Sequence, residues 1–489
     1  MIQKCNYTNK SSLTKLLLFV LWIMIPLSLT FVSFLSWNYF GLFFIVFIIA
    51  IFYHIHYCDK IPFNLYIFKT LTILITWHIG ALFWMFSIDK GVFGLFANVL
   101  VYLVPFVVFY ILRKRYNVTT LVFIPLWLFF EYVQNSYHFS YPWLTLGNLL
   151  SNQTYLAQWY QFTGVLGGSL WLLLISYFIF HIIFLKKKNL NLLFITILLP
   201  SILSLFLLDI KIKKVDLGVS DRFITYNNQY NTQILQKDKL AFNIIKNIDT
   251  LGCYKSLIIP EQTFRGMYNN NFSNSLTHHY FKTLIINGIV ENIFIGTTGF
   301  LKKDFMVNAS ITVTKDTLYG KVKNRLVPYT EYIFPKLYPY FNKKFYRGDV
   351  EDSSEQIINT IQILPLICYE SIYSFYVADK IKNALYIYVM SSELFMNSNR
   401  YGMAQYDNII KLRAIESNRP VIKASNYGWS LAISPSGNIL KKSNDVINYF
   451  EVSVPKNKPS FYSNYGKDAI FGCLLIFLIS TFFKPGKQL

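Results

Sequence analysis

Residues 364–371 read LPLICYES. An apolar run ends on a cysteine, and tyrosine, glutamate and serine follow. A short apolar run of this kind is the pattern of a strand buried on both faces. The polar residues after it read as the start of a helix. Cys368 therefore falls at a strand-to-helix junction, where a side chain is expected to be exposed and nearby backbone N–H groups favour an anion. Working outward, Ser256–Pro260, Asn292–Thr298, Met306–Thr314, Gln362–Ile367, Leu385–Met390, Val421–Ala424 and Ser430–Ile433 read as further strands dominated by Ile, Leu, Val and Tyr. Segments near 238–250, 273–290, 371–383 and 401–418 read as helices, and Ser434-Pro435-Ser436-Gly437 reads as a hairpin turn. Strands and helices in mixed order predict an α/β layered domain over residues 209–466.

The rest of the chain has a different composition. Of 489 residues 54% are hydrophobic, 18% aromatic and only 15% charged, against roughly a quarter charged in a soluble protein. Apolar residues concentrate in 12–208 and again near the C-terminus. Runs long enough to cross a bilayer, each needing about 20 apolar residues, lie near 14–32, 36–56, 66–86, 92–112, 118–134, 164–185, 190–208 and 468–483. The chain thus reads as a polytopic α-helical membrane domain (1–208, about seven helices), an extramembrane domain (209–466), and a C-terminal span with a short tail (467–489), with about eight spans in all. The loop cations Lys4, Lys10, Lys15, Lys60, Lys69, Arg113, Lys114, Arg115, Lys186, Lys187, Lys188, Lys484 and Lys487 fall on one side of these spans, and Lys90 is the exception on the other. Cytoplasmic loops carry the excess of Lys and Arg, so both termini are expected in the cytoplasm and the 209–466 domain outside it. The outer segment 135–163 is rich in aromatics and amides. It reads either as an interfacial loop or as a re-entrant or surface element beside the active site. Glu131, near the end of the preceding span, either reaches water or serves a function.

The net charge of +21 does not carry a nucleic-acid reading, because no zinc-finger spacing, basic-aromatic patch or arginine-rich arm accompanies it. Five cysteines (Cys5, Cys58, Cys253, Cys368 and Cys473) without a C-x-x-C pair point away from a disulfide framework or zinc site. Cys253 reads as a structural thiol. No metal and no cofactor is implied.

Two other stretches join LPLICYES. LIIPEQ places Glu261 just past a strand end, and KNRLVPYTEY places Lys323 before an apolar turn. Acyl transfer through a thiol needs a base for its proton and a cation for the developing oxyanion. Glu261 can supply the first, Lys323 the second, and Cys368 the nucleophile.

The set PEQ, K-N-R-L-V-P-Y-x-E and I-C-Y-E resembles the nitrilase superfamily. Combined with a polytopic membrane part, it resembles the apolipoprotein N-acyltransferase family of bacterial lipoprotein maturation. YPWLTLG at 141–147, Gly167-Gly168-Ser169 and LRAIESNRPVIKASNYGWS at 412–430 extend the likeness. The resemblance implies an αββα sandwich with Glu261 as general base, Lys323 as oxyanion stabiliser and Cys368 as nucleophile. Supporting positions would be Glu331, Glu370, Tyr369, Tyr329 (where the family often has Phe), Asn426 and Phe395. It implies a phospholipid acyl donor, a diacylglyceryl-cysteine apolipoprotein acceptor, membrane lipids as surroundings, and a monomer in the bacterial inner membrane with a periplasmic catalytic domain. Two segments depart from the pattern. SSELFMNSN at 391–399 stands where the family reads S-N-D-x-W-F-G, and VSDRF at 219–223 replaces its usual early strand. A membrane-tethered amidase using water would keep the same three residues. A non-catalytic relative would explain the altered 391–399 segment.

Overall fold

The computed structural model describes residues 23–88, 90–213, 220–228, 237–248, 250–268, 272–300, 306–328, 330–332, 354–454 and 459–482. Tyr329, Cys5, Lys4, Lys10, Lys15, Lys484, Lys487 and the start of the first expected span lie outside them.

Each expected span contains a helix: α1 (Ile23–Asn38), α2 (Phe44–His56), α3 (Phe63–Leu82), α4 (Gly91–Tyr116), α5 (Phe123–Ser136), α6 (Tyr160–Leu185), α7 (Leu190–Lys213) and, at the far end of the chain, α13 (Phe461–Phe482). Among the described residues four stretches are long and apolar enough to cross a membrane: Phe63–Ser87, Gly91–Tyr116, Tyr160–Leu185 and Leu190–Lys211. Four, rather than eight, therefore stand on length and composition. The helix α5 has only 14 residues, about 21 Å at 1.5 Å per residue, short of the roughly 30 Å hydrocarbon core. Apolar side chains remain uncovered along α4 and α7 (Phe93, Leu100, Val104, Phe194, Leu199, Ile202 and Phe206), far more than a water-soluble surface exposes in one place.

The basic loops gather at one end of the bundle. Lys114 Nζ reaches the Asp59 carbonyl (2.7 Å), Arg113 lies 3.9 Å from the Asp59 carboxylate, and Tyr110 bonds the Ile61 carbonyl. The α/β domain sits on the opposite end, where Trp84 and Trp143 both donate to Gln405 Oε1 (3.1 and 3.0 Å). Between the two lies 142–152, a chain of 3-10 turns with Trp143, Leu144, Leu146, Leu149 and Leu150 buried. It is an inner joint rather than an interfacial loop. Non-helical backbone at this depth needs internal partners. Glu131 accepts from Leu146 N (2.8 Å) and Trp127 Nε1 (3.0 Å), Ser169 accepts from Gly147 N, and Tyr160 donates to the Gly147 carbonyl. A Cβ at Gly147 would meet the Val165 carbonyl at 1.9 Å, so only glycine allows this approach. Glu131 is fully buried and acts as an anchor for this joint.

The α/β domain holds two sheets. Strands β1 (Ser220–Tyr226), β2 (Tyr254–Tyr268), β3 (Val290–Phe300), β4 (Met306–Val313), β5 (Leu318–Val322) and β11 (Ile447–Ser453) form one, in the order β11-β1-β2-β3-β4-β5. Strands β6 (Ile363–Ile367), β7 (Tyr386–Ser392), β8 (Val421–Asn426), β9 (Ser430–Ile433) and β10 (Ile439–Ser443) form the other, in the order β10-β9-β8-β7-β6. The first has a parallel centre (β1-β2-β3) with antiparallel strands on both sides, and the second is parallel over β6-β7-β8 and antiparallel over β8-β9-β10. Phe223, Ile258, Phe294, Tyr388, Met390 and Ile422 pack between the sheets. Helices α8 (Lys237–Lys246) and α9 (Leu276–Ile286) cover the outer face of the first. Helices α11 (Ser374–Lys380) and α12 (Arg400–Ser417) cover the second, and their core continues without a break into the membrane helices. Four layers result, α-β-β-α, the last seated on the bundle. A further helix, α10 (Ser354–Ile361), leads into β6.

Candidate active site

Cys368 follows β6 directly and opens a 3-10 turn, Cys368–Ile372, before α11 begins at Ser374. The expected helix thus starts later, after a tight turn. Cys368 has φ +47°, a left-handed conformation that costs a non-glycine residue about 1–2 kcal/mol. The turn is held by named bonds. Ser371 Oγ and Tyr406 OH both donate to the Cys368 carbonyl (2.8 and 3.0 Å), and the Glu370 carboxylate accepts from Ile367 N (2.8 Å) and Asn324 N (2.7 Å). Lys321 pairs with Glu370 in full burial. Glu370 therefore ties the nucleophile turn to the strand that leads to Lys323 and stands apart from the thiol's own charged neighbours. Tyr369 donates to the Ser140 carbonyl (3.0 Å) and its ring lies along Tyr141, facing the joint.

The thiol is buried, with Cys368 3% exposed, where exposure was expected. Phe395, in the segment after β7, packs against the cluster containing Cys368.

Glu261 lies inside the long strand β2, not past its end. Pairing with β3 stops at Ile259 and resumes at Phe264, and Gln262 has φ +55°. The intervening bulge turns the carboxylate inward. A Cβ at Gly296 would meet the Pro260 carbonyl at 2.1 Å, so the bulge needs a glycine on β3. Asn426 braces it, donating to the Glu261 carbonyl (3.0 Å) and Thr263 Oγ1 (2.9 Å).

Lys323 Nζ lies 2.7 Å from Glu261 Oε1 and 2.9 Å from Glu331 Oε1. Asn308 Nδ2 donates to the same two oxygens (2.6 and 3.0 Å). Ser392 N donates to Glu261 Oε2 and Val327 N to Glu331 Oε2. Glu261, Lys323 and Glu331 are the charged groups that act on the Cys368 thiol. Burial raises the Glu261 carboxyl above its ordinary value against the pull of Lys323, and Glu331 adds to the rise. Burial and Glu261 push the thiol well up. Burial alone would lower Lys323, but Glu261 and Glu331 overcome it and hold the ammonium well above its usual range. One ammonium thus serves two carboxylates, leaving an excess negative charge beside a neutral thiol.

Asn308 escaped the sequence reading. Its signal is a polar side chain at a buried position of an apolar strand, where it must find partners. Glu393, Asp407 and Lys423, a second buried charge cluster, escaped as well, although a lysine inside the apolar strand VIKAS is as strong a sign.

A groove of about 220 Å³ shares Phe395 with the cluster that contains Cys368. Gly91, Gly94, Asn98 and Val101 of α4 line its lower part, and Tyr141, Val327, Pro328, Thr330 and Phe395 its upper part. Phe395 faces both the groove and the cluster around Cys368.

Residues 27–178 match the apolipoprotein N-acyltransferase N-terminal domain. Apolipoprotein N-acyltransferase of Rickettsia typhi is 26% identical over 396 residues, spanning 74% of this chain and 77% of that protein. The enzyme of the same name from Rickettsia prowazekii is 24% identical over the same shares. The chain is a homologue of the apolipoprotein N-acyltransferases. A carbon-nitrogen hydrolase from Helicobacter pylori G27 superposes with TM-score 0.35 and 13% identity, over 53% of this chain and 95% of that one. In this apolipoprotein N-acyltransferase homologue the family-matched region ends within α6 and includes the joint and most of the groove wall on α4.

Proposed function

We propose that the chain moves a fatty acyl group from a phospholipid, through a thioester on Cys368, to the N-terminal α-amino group of a diacylglyceryl-cysteine apolipoprotein. One observation carries the reading: a buried thiol beside two carboxylates that share one lysine is linked through Phe395 to an apolar groove that runs down a membrane-length helix. The identity of the acceptor rests on the relatives' name.

Glu261 takes the Sγ proton, and Sγ attacks the ester carbonyl carbon. Moving that proton leaves the net charge of the pocket unchanged, which keeps the step inexpensive in a buried site. Lys323 Nζ balances the oxyanion. The C–O bond then breaks, Glu261 returns the proton to the departing alkoxide, and lysophospholipid leaves. The acceptor amine attacks the thioester and gives its proton to Glu261. The C–S bond breaks, the amide forms and the thiol is restored. Glu331 and Asn308 hold Lys323 and Glu261 in register. Asn426 braces the bulge, Glu370 the turn, and Tyr369 the contact with the joint. Phe395 flanks the chain's path.

Drawing a sixteen-carbon chain into water costs about 0.8 kcal/mol per methylene, roughly 12 kcal/mol in all. A groove entered from the bilayer avoids most of that. This favours about eight spans, with both termini in the cytoplasm of a bacterial inner membrane and residues 209–466 in the periplasm. Every group the reaction uses comes from one chain, which supports a monomer.

Incubation of the purified protein with phosphatidylethanolamine is expected to add one acyl mass to the Cys368 peptide, and a diacylglyceryl-cysteine peptide is expected to discharge it as an amide. Absence of any adduct on the wild type would overturn the proposal. Free fatty acid in place of the amide would reassign the protein to hydrolysis.

A further inference from the structure

Lys90 is the exception to the charge asymmetry of the loops, a cation where the opposite side is nearly bare. The bilayer rule that accounts for the others gives no reason for it. It is exposed and lines the groove at the N-terminal end of α4. It holds a left-handed backbone, φ +59°, where glycine or asparagine would fit with less strain. A turn requirement therefore does not explain a lysine here.

The groove has a direction. From Gly91 to Val101 its wall descends ten residues along α4, roughly 15 Å, and Val101 lies in the lipid-facing stretch. Its upper wall, with Val327, Pro328 and Thr330, adjoins Glu331 and through it Lys323. An acyl chain lying in the groove has its methyl end beside Val101 and its carbonyl at the top. A glycerophospholipid carries its phosphate a few bonds beyond that carbonyl, at the rim. Lys90 stands on the rim.

We infer that Lys90 binds the phosphodiester of the acyl donor, so that the groove recognises the phosphate of a glycerophospholipid as well as its chain. This rests on the phospholipid-donor reading above. Lysine suits the task as a compact, mobile ammonium that meets phosphate as a point charge.

The test compares two donors with the same palmitoyl chain, phosphatidylethanolamine in detergent micelles and a p-nitrophenyl ester that has no phosphate. Acylation of Cys368 is followed by mass spectrometry for wild type, Lys90→Gln and Lys90→Arg. In Lys90→Gln the efficiency with phospholipid, relative to that with the aryl ester, is expected to fall about tenfold, mostly through KM, as for one charge-assisted contact. Lys90→Arg should recover most of it. An unchanged ratio in Lys90→Gln overturns the assignment alone. A proportional loss with both donors also overturns it, because it marks Lys90 as a turn residue. A wild type that accepts the aryl ester but no phospholipid overturns the donor reading and this assignment together.

Discussion

Two buried clusters in the α/β domain have the same make-up, one lysine between two carboxylates, and differ in balance. Lys323 sits between Glu261 and Glu331. Lys423 sits between Glu393 and Asp407, with Ser425 donating to Glu393. In the second cluster Lys442 approaches Asp407 to 3.8 Å, so two ammoniums face two carboxylates. Its remaining neighbour is the Tyr406 ring, 4.9 Å from Lys423 Nζ. Among the described residues the first cluster has no second paired cation, and its remaining neighbour is a thiol. Buried charge by itself therefore does not mark the reactive centre. Excess negative charge beside a nucleophile does, because it can accept a proton. The balanced cluster joins the segment after β7 to β8 and α12.

The sharpest way to break this comparison is to remove the acceptor. Cys368→Ala should abolish the covalent adduct, and the near-isosteric Glu261→Gln should slow acylation by roughly 10³-fold, within the range for a lost general base. Single-turnover mass spectrometry reads both. Retention of the rate within tenfold in Glu261→Gln would make the first cluster another ion pair.

Lys423→Met should act on stability. Removing one partner of a buried pair costs about 3–5 kcal/mol, visible as a lowered thermal midpoint in detergent, with Lys423→Arg recovering part of it. Acylation by the folded fraction should fall much less than in Glu261→Gln. An equal fall would erase the distinction.

Acidity separates the clusters further. The Glu261 carboxyl is raised above 4.5 by burial, and only its deprotonated form can take the thiol proton. Acylation should be complete well above that raised pKa and lost as pH falls through it, by about tenfold per unit below the midpoint. A midpoint at or below 4.5 in a pH–rate profile would count against Glu261 as base. The smallest effect belongs to Tyr406→Phe, which removes the bond to the Cys368 carbonyl and should cost about 1 kcal/mol, roughly a fivefold slower acylation. No change would show that Ser371 alone holds the turn.

Strands such as 292–298 and 430–433 were legible because three apolar residues run together in each, and the observed β3 and β9 bracket or match them. Strand β5, LYGKV, was not, since it is short and carries a glycine and the inward Lys321. Strand β10, ILKKS, is an exposed edge with no apolar pattern to read. The end of β2 was misread because PEQ looks like a terminator, whereas the chain bulges and resumes pairing at Phe264. Cys368 was expected in the open, and the packing of the two sheets buries it.

Local pattern alone determined the division into membrane helices and a layered α/β domain, and it placed Glu261 and Cys368 near the ends of apolar strands and Lys323 before an apolar turn. Those features depend on periodicity and composition over a few residues, which the chain carries in order. Which carboxylates share Lys323, and that they outnumber it, only the tertiary structure decided. Glu261 and Lys323 are 62 residues apart and Glu331 and Lys323 are 8 apart, yet all three meet within 3 Å. Charge interaction depends on that separation in space and on the exclusion of water, and neither is a property of residue order.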